Sequence, residues 1–237
     1  MASQQYFVSD LHLFSRRSLA PRHNEAIKQA VADSSTFVLG GDIFDFRWST
    51  LPSLQHTIDA ALHWLDELTA VNRRCKLHFV LGNHDYNRQF LAALDRFAHD
   101  TENLEWHRTH LRIGASLFVH GDIADKPQLC HEKLLLRRQK YWHDEAAKGQ
   151  LANQVYDWAI HARLHHLAKL IHRHRRVTSR LLPYVEQIGH GFDTGLRHVY
   201  FGHTHHAMSN YERGGIHFHN PGAPMAGLKF RIVPVAG

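Results

Sequence analysis

Leu77-His78-Phe79-Val80-Leu81-Gly82-Asn83-His84-Asp85 decides how the rest of the chain is read. Its first five residues are a short, mostly apolar run, too brief for a helix and suited to a buried strand. A glycine then turns the backbone, and an amide, an imidazole and a carboxylate follow in succession. The polar triplet therefore falls at the carboxyl end of a strand.

Four more stretches repeat this design. Tyr6-Phe7-Val8 leads into Asp10-Leu11-His12, and Thr36-Phe37-Val38-Leu39 leads into Gly41-Asp42. Leu117-Phe118-Val119 precedes His120-Gly121-Asp122, and Val199-Tyr200-Phe201 precedes Gly202-His203-Thr204-His205. Open α/β sheets bind ligands at the carboxyl ends of their strands. Five such strands side by side are expected to gather these groups, with Gly40, Gly41, Gly82, Gly121 and Gly202 leaving room for close backbone approach.

The gathered donors are Asp10, His12, Asp42, Asn83, His120, His203 and His205. Carboxylate, amide and imidazole without a thiolate suit a pair of divalent cations better than a structural zinc. Asp42 carries two oxygens and can bridge two ions about 3.5–4 Å apart, with a hydroxide between them as nucleophile. Cys75 and Cys130 stand outside every motif, and two distant thiols make no disulfide framework.

Together the motifs resemble the calcineurin-like metallophosphoesterase superfamily, whose pattern runs Asp-x-His, Gly-Asp-x-x-Asp, Gly-Asn-His-Asp/Glu, a Gly-flanked His and Gly-His-x-His. Gly41-Asp42-Ile43-Phe44-Asp45 completes the second block, and Asn220-Pro221-Gly222 is similar to the family's later turn. The resemblance implies an α/β fold, a two-sheet αββα sandwich flanked by helices. It also implies that Asp10, His12 and His205 hold a first metal, that Asn83, His120 and His203 hold a second, and that Asp42 bridges them. His84 would then be the acid that protonates the leaving oxygen, with neighbouring Asp85 as the group expected to orient its imidazole. Two divalent ions per chain follow, with Mn²⁺ expected from the resemblance and Fe or Zn also compatible with these ligands.

At 237 residues, 43% of them hydrophobic, the chain can bury one sizeable core, and no linker or low-complexity tract divides it. Residues 1–237 read as one catalytic domain. Helical spacing of apolar residues marks packing helices over 22–33, 55–71 and 88–98. The first strand begins within six residues of Met1, and no run of 18 apolar residues occurs. A cytoplasmic protein is the expectation. Past Met208, strand alternation surrounds Gly214-Gly215 and ends at Phe230-Arg231-Ile232-Val233, with His217 and His219 on one face.

Residues 123–201 break the strand pattern. Tyr156, Ile160, Leu164, Leu167 and Ile171 recur at helical spacing, and Leu181, Val185 and Ile188 follow beyond a break expected near Pro183. This interval reads as a helical cap, and its 13 Lys and Arg against 7 Asp and Glu account for the whole formal net charge of +6. Arg173, Arg175, Arg176 and Arg180 form its densest basic cluster, and Arg137-Arg138-Lys140 a second. Such groups grip phosphates and steer anions when exposed. With an apolar face beside them they also suit peripheral contact with a lipid surface at the inner membrane. The bland alternative is a solvated helix face.

Val8-Ser9-Asp10-Leu11-His12-Leu13 and the basic insertion are similar to the UDP-2,3-diacylglucosamine diphosphatases. Those usually carry Arg where this chain has His84, and their acidic segment after His-Gly-Asp is missing from Ile123-Ala124-Asp125-Lys126-Pro127. The leading expectation is thus a hydrolase of a phosphoester or pyrophosphate, with an amphipathic UDP-diacylglucosamine-like lipid or another phosphorylated small molecule as substrate. A general nucleotide phosphodiesterase or phosphatase, a nuclease or nucleic-acid-binding protein using Trp142, Tyr156 and Trp158, and a scaffold without turnover are the alternatives. Nucleic acid is the weaker partner, because Tyr156 already belongs to the apolar stripe. Of the 24 histidines, five are assigned to the site, and the others read as scattered surface and buried residues.

Overall fold

The computed structural model describes residues 4–126, 130–140 and 174–236. Its strands are β1 (Gln5–Val8), β2 (Thr36–Leu39), β3 (Lys76–Val80), β4 (Leu104–His107), β5 (His110–Ile113), β6 (Ser116–Val119), β7 (His198–Phe201), β8 (Met208–Arg213), β9 (Ile216–Asn220) and β10 (Val233–Pro234). The described helices are α1 (Asn24–Ala32), α2 (Leu54–Val71), α3 (Arg88–His99), α4 (His131–Gln139) and α5 (His174–Gln187).

The five motif-bearing strands do not lie side by side in one sheet. One sheet has the order β10-β1-β2-β3-β4, and the other the order β5-β6-β7-β9-β8. Strands β1 to β4 run parallel with β10 antiparallel at the edge, while β6, β7 and β9 run parallel between antiparallel β5 and β8. The motifs are therefore divided three to two between sheets, and the site forms where the carboxyl ends of both meet.

Side-chain alternation explains why these strands read as unbroken apolar runs. Val8, Phe37, Leu39, Leu77 and Phe79 pack under α1, α2 and α3, whereas Phe7, Val38 and Val80 face the other sheet. Across the gap stand Phe118 and Tyr200, while Leu117, Val119, Val199 and Phe201 point the other way, toward Leu134 of α4 and Val177, Leu181 and Val185 of α5. Strands covered on both faces have no polar face to show. The single core expected from composition is in fact three layers of apolar contact, giving the αββα sandwich.

Helix starts are set locally. The Ser53 hydroxyl accepts from the His56 amide at the head of α2, and the Asn87 side chain accepts from the Gln89 and Phe90 amides at the head of α3. Asn87 thus launches α3 two residues after Asp85, fixing the turn that carries Asn83 and His84. Within residues 123–201, Pro183 does not break the helix but lies inside α5. A proline inside a helix costs about 3 kcal/mol through its missing N–H and the clash of its ring with the preceding turn, and full burial of Leu181 and Val185 on either side of the proline offsets it. The apolar stripe from Tyr156 to Ile171, with Arg173, Trp142 and Trp158, lies outside the described residues. No described helix is long and apolar enough to cross a membrane.

Candidate functional site

The turns after β1 and β2 run together through backbone bonds, Asp10 N–H to the Gly41 carbonyl and His12 N–H to the Asp42 carbonyl, both at 2.9 Å. Asp10, His12, Asp42, His203 and His205 all take left-handed backbone conformations, with φ between 46° and 64°. Such residues are strained, and strain of this kind collects at functional sites. Gly202 lets the two sheets close: a Cβ there would lie 2.1 Å from Asp10 Oδ2, and one on Gly82 would lie 2.2 Å from Asp42 Oδ1.

All seven donor residues converge in this space. His12 Nε2 lies 3.1 Å from His205 Nε2 and 3.8 Å from Asp42 Oδ2, and His205 Nε2 is 3.4 Å from Asp10 Oδ1. On the other side of Asp42, His120 Nε2 is 3.2 Å from Oδ2 and 3.2 Å from Asn83 Oδ1. Ligand atoms of Asp10, His12 and His205 fall within 4.8 Å of one another, as do those of Asp42, His120 and His203. Asp10, Asp42 and His120 are essentially sealed from water. Isolated buried carboxylates are costly unless paired or bound to cations, so this donor set fits two divalent ions that share Asp42.

The electrostatics reflect the same crowding. Burial pushes the Asp42 carboxyl up, but His120 and His84 beside it hold it well below the usual range. Burial lowers the His120 imidazole, yet Asp42 outweighs this and lifts it to about 10. At His84, burial is likewise opposed by Asp45 and Asp42, which bring it to about 9. Bound cations reverse this balance, since neutral imidazole is the ligand form.

Asp45, not Asp85, orients His84. Asp45 Oδ1 lies 2.9 Å from His84 Nδ1, and its Oδ2 lies 3.3 Å from His12 Nδ1. Asp85 instead accepts from the backbone amides of Asp42 at 2.6 Å, Gly82 at 2.9 Å and Phe44 at 2.9 Å. It is the knot that ties the second and third motifs. Adjacency in sequence misassigns it, because consecutive residues of a tight turn point in different directions. The signal for Asp45 was its place in Gly-Asp-x-x-Asp.

Two other partners lie outside the predicted ligand set, Asp125 with no motif signal and Asn220 within the Asn220-Pro221-Gly222 turn. Asp125 Oδ1 lies 2.6 Å from His203 Nε2, while the His203 amide donates to both Asp10 oxygens at 2.8 and 3.0 Å. The Asn220 side chain donates to the Gly202 carbonyl at 2.9 Å, bracing the loop that holds His203. Three arginines of residues 123–201 are also spent internally. Arg138 is buried and grips Asp122 at 2.7 and 2.8 Å, Arg137 pairs with Asp125, and Arg180 donates to the Ala124 and Asp125 carbonyls. They lock α4 and α5 to the turn after β6, contrary to their expected place in an anion-binding face.

A family model for calcineurin-like phosphoesterases matches residues 5–207, from β1 through the last pair of site histidines. The chain belongs to the calcineurin-like phosphoesterases. This phosphoesterase is a hydrolase acting on phosphoester bonds; a dinuclear metal site is typical of the family, and His and Asp clusters able to hold metal ions are present among the described residues. Among solved structures it is similar to the phosphoesterase YfcE from E. coli, with 15% identity over 99% of this chain and 88% of that one and a TM-score of 0.41. A dimetal phosphatase from Danio rerio matches at 13% identity, 94% and 88% coverage and a TM-score of 0.43. A conserved uncharacterized protein from Streptococcus pneumoniae TIGR4, described as a predicted phosphoesterase, matches at 13% identity, 100% and 85% coverage and a TM-score of 0.40. No curated protein matches the sequence.

Proposed function

We propose that this phosphoesterase uses His84 as the proton donor to the leaving oxygen, over a dinuclear centre held by Asp10, His12 and His205 on one side, Asn83, His120 and His203 on the other, and Asp42 between them. Bound divalent cations, proposed to be Mn²⁺, supply charge compensation for the phosphoryl oxygens and lower the pKa of water. The observation that carries the assignment is the His84 imidazole itself. Its Nδ1 lies 2.9 Å from Asp45, and its side chain is 20% exposed where those of His12 and His120 are 3% and 0% exposed. With Nδ1–H donated to Asp45, a protonated ring offers Nε2–H to a substrate oxygen.

Asp45 has a second task in this reading. Accepting Nδ1–H from His12 leaves the His12 Nε2 lone pair free for a cation. Asp125 acts on His203 in the opposite sense, taking Nε2–H and leaving Nδ1 as the ligand atom. His84→Ala should therefore keep both metals yet lose roughly 10²–10⁴-fold in rate on esters with poor leaving groups, and far less on activated aryl phosphates. Equal losses on the two substrate classes would remove His84 from proton donation.

The substrate is proposed to be an amphipathic pyrophosphate of the UDP-diacylglucosamine type, supported by the basic and apolar character of residues 123–201. With Arg137, Arg138 and Arg180 engaged by the fold, the exposed Arg175 and Arg176 become the described candidates for its phosphates. Peripheral contact with a lipid surface belongs to the same reading and falls with it. Replacing both by Gln should raise KM for such a lipid and leave a small aryl phosphodiester unaffected. An unchanged KM favours the general phosphodiesterase alternative.

A further inference from the structure

Away from the seven donors, a second group of ligating side chains stands on the first sheet. His78 on β3 is the register partner of Glu105 on edge strand β4, and His107, two residues further along β4, shares the face of Glu105. His78 Nδ1 lies 3.1 Å from His107 Nε2 and 3.5 Å from Glu105 Oε2, and His107 Nε2 lies 4.0 Å from Glu105 Oε1. We infer that His78, Glu105 and His107 form a further metal site, taking a single zinc ion with water in the fourth position.

Geometry supplies the first argument. Zinc bound tetrahedrally at about 2.0–2.1 Å sets its ligand atoms about 3.3–3.4 Å apart. The nitrogen–nitrogen separation of 3.1 Å lies near that edge, and because the carboxylate faces His78 through Oε2 and His107 through Oε1, rotation of the Glu105 side chain brings one oxygen into reach of an ion held by both. Preorganisation is the second argument. The two imidazoles are only 13% and 16% exposed, so packing already holds their rings, whereas the carboxylate, 63% exposed, is free to swing in. Two His and one Glu with an open position is a donor set that zinc accepts readily.

Protonation is compatible with this. Burial lowers the basicity of His78, reinforced by His107, and burial does the same at His107. Neutral imidazole is the ligand form. Without an ion, the facing nitrogens can share only one proton. The location also gives the ion something to do. The His107 carbonyl accepts the Leu81 amide at 2.9 Å, directly before Gly82-Asn83-His84. A cation there pins the edge strand to β3 at the root of the active-site turn and blunts an exposed sheet edge.

The test is a zinc count on metal-stripped full-length protein, read against a competing chelator and compared between variants. His78→Gln/His107→Gln should lose one equivalent relative to the unaltered protein, and Asp42→Asn should keep that equivalent. Glu105→Gln, a change on an exposed side chain that spares folding, should weaken the same equivalent at least tenfold. Cobalt bound to the metal-stripped Asp42→Asn protein should show four-coordinate d–d absorption that disappears on adding the histidine substitutions. An undiminished count in the double histidine variant overturns the site, and so does a zinc constant unmoved by Glu105→Gln. Because the readout is a difference between variants, failure of the dinuclear centre leaves it intact.

Discussion

Asp45→Asn probes the proposed site most sharply, because it preserves volume and removes one charge that serves two imidazoles. Asp45 Oδ1 accepts from the Trp48 amide at 3.0 Å and lies 2.9 Å from His84 Nδ1, whereas Oδ2 faces His12 Nδ1, at 3.3 Å. An asparagine best keeps its oxygen on the side with two donors, which turns its NH₂ toward His12. His12 Nδ1 must then accept, and its proton moves to Nε2, the atom that faces His205 and Asp42. A protonated nitrogen cannot ligate. A hydrogen bond to a charged group is worth about 1.5–3 kcal/mol, which at about 1.4 kcal/mol per decade is roughly 10–150-fold. Chelator competition should show one of the two active-site equivalents weakened by that factor. His84 also loses the strongest of the three carboxylate influences, Asp45 ahead of Asp42 and Asp85, that raise it from 6.5 to about 9 in the metal-free protein. Rate requires the protonated ring, so the alkaline limb of kcat/KM should move to lower pH. Metal affinity and pH profile both unchanged in Asp45→Asn would refute the orienting role.

Asp42→Asn should bring the active-site metal count below two and activity down with it, measured on the same sample. Arg138→Leu strands the buried Asp122 carboxylate and should cost about 3–5 kcal/mol in urea unfolding, with the Arg138→Leu/Asp122→Leu pair recovering most of it; a loss under about 1 kcal/mol would mean the pair is not sealed as described. His219, stacked on Tyr200 at 4.6 Å, is lowered to about 4 by burial and by His198 and His217. Its folded value lies below its unfolded one, so its contribution to stability is full above about pH 6.5 and is lost as pH falls toward 4. The fall in thermal midpoint over that window should be shallower in His219→Phe.

Local features of the chain were legible without the fold. Runs such as Thr36-Phe37-Val38-Leu39 and Leu117-Phe118-Val119 declare strands because both their faces are covered, and the polar motifs follow them directly in sequence. Helical spacing likewise located α1, α2 and α3. The same information placed all seven donors and His84 at strand ends, and the structure brings them together.

Tertiary structure decided the relations between segments distant in sequence. Periodicity reports which face of a strand is apolar but not which strand lies beside it, so the three-to-two division between sheets was invisible. Asp45 meets His84 across 39 residues and Asp125 meets His203 across 78, distances at which spacing carries no information. The burial of Arg138 reversed its reading for a similar reason: a guanidinium looks solvent-seeking until Asp122 and the Arg108 carbonyl are found around it. Pro183 stayed helical because contacts with the second sheet outweigh a local propensity. Residue type and local order determined which groups could do the chemistry, and packing over long range determined which groups hold them.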